Sequence, residues 1–119
     1  MITKIITGIK KTMRELEQGK FDEDTTSDAI KLIKQQSRLA EAYIKTSAII
    51  FRARNTGSSQ DLTGLCKVLG AFDEGGIWIK KLHSGDYDKK ETRKQIRGMR
   101  AQVREIKDEI KTLKKKLLD

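Results

Sequence analysis

Seven cations recur along the last third of the chain: Arg93, Arg97, Arg100, Arg104, Lys107, Lys111 and Lys114. Their spacing alternates between four and three residues, which puts them on one edge of an α-helix. Arginine presents a planar fork of donors that matches a phosphate in bidentate fashion, and lysine adds a point charge. No acidic residue falls between Glu91 and Glu105, so the arginine end of the stripe is uncompensated. The chemistry expected of such an edge is electrostatic holding of phosphate, not bond making. A helix of about thirty residues spans about 45 Å, enough to lie along several phosphates. Contacts of this kind carry little sequence specificity and weaken steeply with salt.

The other reactive residue types lack the company that catalysis needs. His83 is the only histidine, and no ligand-type residues flank it at metal-binding spacing. Cys66 is the only cysteine; it sits in an apolar helical pattern, reads as a small buried residue, and can form no internal disulfide. Asp22, Glu23 and Asp24 do not follow the calcium-loop pattern and read instead as part of a helix start, with Thr25, Thr26 or Ser27 as the cap. Gly75-Gly76 lacks the spacing and the lysine of a phosphate-cradling loop. Asp73 and Glu74 have nothing converging on them in sequence. The chain reads as a non-enzyme with no metal and no cofactor.

The elements that must carry the cationic edge are helices. There is no proline in the chain, so nothing forbids long ones. Ile96, Met99, Val103, Ile106, Ile110, Leu113 and Leu117 alternate by three and four, a heptad seam beside the basic stripe. With Ile96 at position a, the flanking e and g residues give one clear salt bridge, Glu109 with Lys114, so pairing is permitted but not programmed. The seam serves either self-association or packing against an upstream helix. That helix is expected from about Asp28 to Arg54, with its own seam of Ala29, Leu32, Gln36, Leu39, Tyr43, Thr46 and Ile50, widened by Ile33, Ala40, Ile44 and Ile49–Phe51. Ile2 to Leu16 form an amphipathic helix ending before Gly19 and complete a helical hairpin over residues 2–54. Arg52 and Arg54 are read first as complementing the helix C-terminus, with a contribution to an anion-binding surface as the alternative. Two short helices follow over 59–84, the first from about Gln60 to Gly70 with Ser59 as cap and Phe72 on its apolar face, the second around Ile77–Leu82 after a turn at Asp73–Gly76. Asp86 or Asp88 caps the last helix. The expectation is an all-α chain divided into a helical domain, 1–87, and a long basic coiled-coil-type helix, 88–119.

The stretch from Asp61 to Gly85 resembles the helix-turn-helix of phage-repressor-type modules. Cys66 stands where those modules pack their helices closely, and Gly70 stands at the turn. The resemblance implies a second helix that reaches base edges. Asp73, Glu74, Gly75 and Gly76 depart from it, because two carboxylates repel phosphate and two glycines weaken a helix start. Ile77, Trp78 and Ile79 suit a core better than a groove, so the pair is read as a structural hairpin.

The totals narrow the class further. Charged residues equal hydrophobic ones at 36%, aromatics are 5%, and the net charge is +9. Residues 89–119 hold twelve Lys or Arg against five Asp or Glu, so most of that charge lies on the last helix. No apolar run is long enough to cross a membrane, and no secretory signal is evident, which leads to the expectation of a cytoplasmic protein without a membrane partner. The first functional reading is a small, basic, homo-oligomeric protein that binds the nucleic-acid backbone, of the phage or plasmid accessory or regulatory type. The alternative is a module that binds or inhibits a host or partner protein through an acidic surface of that partner.

Overall fold

The computed structural model describes residues 2–58, 61–70 and 77–118. Among them are five helices and no strand: α1 (Thr3–Glu17), α2 (Glu23–Asn55), α3 (Thr63–Gly70), α4 (Ile77–Ser84) and α5 (Lys89–Leu118). The all-α class follows. No helix among the described residues is long and apolar enough to cross a membrane. Ser59 as a cap, Gln60, and Phe72 with the Asp73–Gly76 turn lie outside the described residues.

The helix ends are set by side chains and glycines. Asp22, not Thr25, Thr26 or Ser27, caps α2, so this helix starts five residues earlier than the sequence suggests. Asp22 Oδ1 accepts from the Thr25 amide at 2.9 Å, and the Thr25 hydroxyl accepts from the Asp22 amide at 3.0 Å. This reciprocal pair is a capping box with threonine in place of the usual acid. The two hydrogen bonds from Thr25 hold the Asp22 carboxyl below its ordinary pKa. Asp61 caps α3 through the Thr63 amide at 3.0 Å, and Asp88 caps α5 through the Glu91 amide at 2.8 Å. At the other ends, Gly19 and Gly57 take φ of 70° and 71°. Each closes its helix with paired backbone bonds, Lys20 to Glu15 with Gly19 to Leu16, and Ser58 to Ala53 with Gly57 to Arg54. A residue with a Cβ is disfavoured at such a position.

The chain forms two compact units. One joins Thr3–Glu41 to Ala101–Asp119, the other Met1–Ile2 to Ala42–Arg100. The first unit contains α1, the start of α2 and the end of α5. Its core is Ile6, Ile9, Met13 and Leu16 from α1, Ala29, Ile30, Ile33 and Ala40 from α2, and Val103, Ile106, Ile110 and Leu113 from α5. The second unit contains the end of α2, the short helices and the start of α5. Tyr43, Ile44, Ile50, Phe51, Leu62, Leu69, Ile79, Leu82, Ile96 and Met99 are buried there. Trp78 stacks on Tyr43 with ring centroids 6.1 Å apart, and its indole N–H donates to Gln95 Oε1 at 3.1 Å.

The α5 seam is therefore covered within one chain, except at its end. Ile96, Met99, Val103, Ile106, Ile110 and Leu113 are buried, while Leu117 is 38% exposed. The α2 stripe is buried over part of its expected width. Ala29, Tyr43 and Ile50 are inside, but Leu32 and Leu39 are 49% and 48% exposed. The buried edge continues instead through Ile30, Ile33, Ser37, Ala40, Ile44, Ser47 and Phe51, again in steps of three and four. Two serines are tolerated there because each hydroxyl bonds back to its own helix, Ser37 to the Lys34 carbonyl and Ser47 to the Tyr43 carbonyl, both at 2.7 Å.

Candidate nucleic-acid interface

In the unit containing Ala42–Arg100, two helix faces with the same periodicity enclose an open cleft. The end of α2 supplies Ala48, Phe51, Arg52 and Asn55, followed by Thr56, and α5 supplies Arg93, Ile96, Arg97 and Arg100. Each face follows the i, i+3, i+4, i+7 pattern that stacks side chains along one helix stripe. The cavity measures about 380 Å³, near the lower end of the range for small-molecule sites. Among the described residues four arginines line it and no carboxylate does. Its floor is apolar, made of Ala48, Phe51 and Ile96.

Several contacts fix this arrangement. The Arg93 guanidinium lies over the Phe51 ring at 5.9 Å from the centroid, a cation–π contact that orients it. Tyr87 meets Phe51 edge-on, with centroids 5.2 Å apart and planes at 87°. The Tyr87 hydroxyl donates to Asn55 Oδ1 at 2.8 Å. Burial pushes the Tyr87 pKa up, which keeps that hydroxyl protonated and donating. Beyond this bond Asn55 keeps its amide N–H pair and a second lone pair on Oδ1. Arg54 points elsewhere: its Nε donates to the His83 carbonyl at 2.7 Å, which ties the end of α2 to the end of α4.

The seven cations of the sequence stripe thus have different neighbours. Arg93, Arg97 and Arg100 line the cleft. Arg104, Lys107, Lys111 and Lys114 belong to the other unit. There, Lys107 Nζ meets Glu41 Oε1 at 2.7 Å, with both side chains more than 40% exposed, a geometry worth little in water. Lys114 lies against Lys34, and this like-charge contact, with Arg38 and Lys111 nearby, lowers the Lys34 pKa. Three acids in the second half of α5 face a different neighbour. Glu105, Asp108 and Glu109 line a cavity of about 370 Å³ with Glu17 and Met13 of α1.

Arg52, for which the sequence offers either a helix-terminus role or a place on an anion-binding surface, shares the cleft with the α5 arginines. Asn55 and Thr56 gave no signal of their own. The signal available was the spacing of Ala48, Phe51, Arg52 and Asn55, which matches that of Arg93, Ile96, Arg97 and Arg100.

The remaining candidates stand apart from the cleft. Cys66 is half-buried and burial raises its thiol pKa, the opposite of what a nucleophile needs. His83 uses its backbone carbonyl. Among the described residues no group of three or more His, Cys, Asp or Glu could hold a metal. Helices α3 and α4 pack on each other, and Leu65, Val68 and Ile77 are exposed on them. Comparison with protein-family models, with curated proteins and with solved structures finds no match to this chain.

Proposed function

We propose that this chain is a binding protein for nucleic acid, which it holds by phosphate through the cleft between the end of α2 and the start of α5. The observation that carries the reading is four arginines, Arg52, Arg93, Arg97 and Arg100, around one cavity with no acid among its described lining residues. Guanidinium groups kept apart from carboxylates repel one another, and a bound phosphate relieves that repulsion while accepting bidentate hydrogen bonds. The net charge of +9 adds long-range attraction for a polyanion. The role is one of holding rather than of catalysis. Self-association through the α5 seam is not part of this proposal, because six of the seam's seven residues are already covered within one chain.

The test is fluorescence anisotropy with labelled single-stranded DNA, duplex DNA and RNA across a salt series. Binding at low salt should weaken as salt rises, with a log–log slope that reports the number of phosphates neutralised. The pair Arg97→Glu and Arg100→Glu should weaken binding by at least about 100-fold, since each reversal replaces an attraction with a repulsion of similar size. Far-UV circular dichroism should be unchanged, both side chains being exposed. No binding to any of the three polymers at low salt would sink the reading.

A further inference from the structure

The shape of the cleft says more about its ligand than its charge does. A helix edge that tracks a polymer backbone spreads its cations, roughly one to each phosphate, because successive diesters on a strand carry one charge each. Here four arginines line one cavity of about 380 Å³, three from successive turns of α5 and one from α2. An internal diester brings a single negative charge and two non-bridging oxygens, too few for four bidentate donors. A terminal phosphate carries about −1.5 to −2 at neutral pH and has three free oxygens, and a polyphosphate chain carries more.

The rest of the lining fits the same kind of group. Ala48, Phe51 and Ile96 give an apolar floor beside the arginines. A base or sugar at a chain end is free to turn onto such a floor, whereas one inside a stacked strand is held by both neighbours. Asn55, whose Oδ1 accepts from Tyr87, also carries amide N–H donors, which suit an anion or a base carbonyl. Arg93 is already held against Phe51, so less side-chain freedom is lost when an anion arrives.

We infer that the cleft of Arg52, Arg93, Arg97 and Arg100 is a site for the terminal phosphate of a nucleotide, with its nucleoside on the apolar floor, in preference to an internal phosphodiester. This rests on the proposed reading of the cleft as a phosphate site for nucleic acid. The same chemistry is offered by two sources, the 5′ end of a strand and a free nucleoside polyphosphate, and the experiment separates them.

The experiment measures anisotropy at fixed low salt with one single-stranded oligonucleotide sequence, labelled at its 3′ end and carrying a 5′-hydroxyl, 5′-monophosphate or 5′-triphosphate. Adenosine triphosphate and inorganic pyrophosphate serve as unlabelled competitors. Affinity should rise along the series by about tenfold or more from hydroxyl to triphosphate, since two or more charge-assisted hydrogen bonds are added. Arg52→Gln, a change at an exposed position, should flatten the series and leave helicity intact. Displacement of the triphosphate strand by adenosine triphosphate more readily than by pyrophosphate adds support for the nucleoside floor. Equal affinity for all three ends, with binding retained, would overturn the inference and leave the proposed function standing. Binding of adenosine triphosphate without binding of any oligonucleotide would keep the terminal-phosphate site and remove the nucleic-acid reading. Binding of none of these ligands would remove both.

Discussion

At the scale of single residues, much of the behaviour depends on whether a polar group keeps its partners when the chain folds. Asn55 accepts from Tyr87, Trp78 donates to Gln95, and Ser47 bonds back to Tyr43, so these half-buried or buried polar groups are satisfied. Gln36 is the contrast. The residue is half-buried, and its Oε1 is shielded from solvent with no partner among the described residues. A buried acceptor left unpaired costs about 1–3 kcal/mol. Gln36→Met keeps the length and removes that acceptor. It is expected to stabilise the chain by about 1 kcal/mol, read as a higher urea midpoint at unchanged slope. A lower midpoint would mean that the amide is solvated in the native state.

At the scale of elements, the first unit carries a strained set of like charges where α2 faces α5. Lys34 and Lys114 are both half-buried, and Lys114, then Arg38 and Lys111, push the Lys34 pKa down. The folded chain releases this proton more readily than the unfolded chain. Over the window just below the ordinary lysine range the unfolded state therefore holds more protons, and this group's contribution to stability rises as pH climbs through it. Lys34→Gln should raise the melting temperature at low salt. The gain should shrink as salt is added, since exposed charges are screened within about 3 Å at 1 M ionic strength. A gain that persists at high salt would place the effect in packing, not repulsion. The acids on α5 cannot relieve this set, because Glu105, Asp108 and Glu109 line the cavity with α1.

At the scale of the whole molecule, α2 and α5 are each continuous helices that contribute to both compact units. A lesion in one unit should therefore be felt in the other through the shared helices. Ile106, 2% exposed, belongs to the unit of Thr3–Glu41 and Ala101–Asp119, and Trp78, the only tryptophan, belongs to the other. Ile106→Lys buries an unpaired charge and should cost about 3 kcal/mol or more. Thermal melts followed by circular dichroism and by Trp78 fluorescence should shift down together. An unshifted Trp78 transition would mean that the units unfold independently. Sedimentation of the same variant distinguishes this from a change in assembly.

Much of this was legible in the sequence because it depends on local periodicity. The heptad of Ile96 through Leu113 marked a helix edge that is buried, and Asp88 and Gly19 marked helix ends, since a cap or a positive φ is decided within a few residues. The alternation of Arg93, Arg97 and Arg100 put three of the four cleft arginines on one edge before any fold was known. What periodicity left open was which edge of α2 turns inward. Leu32 and Leu39 satisfy a three-four pattern as well as Ile33 and Ala40 do, and hydrophobicity favours the leucines. Tertiary packing chose the edge with Ser37, Ala40 and Ser47, where back-bonded hydroxyls can be buried. The same step brought Arg52 to Arg93, Arg97 and Arg100. The charge and the helices were determined by the sequence alone, but the cleft exists only where two distant helix faces meet.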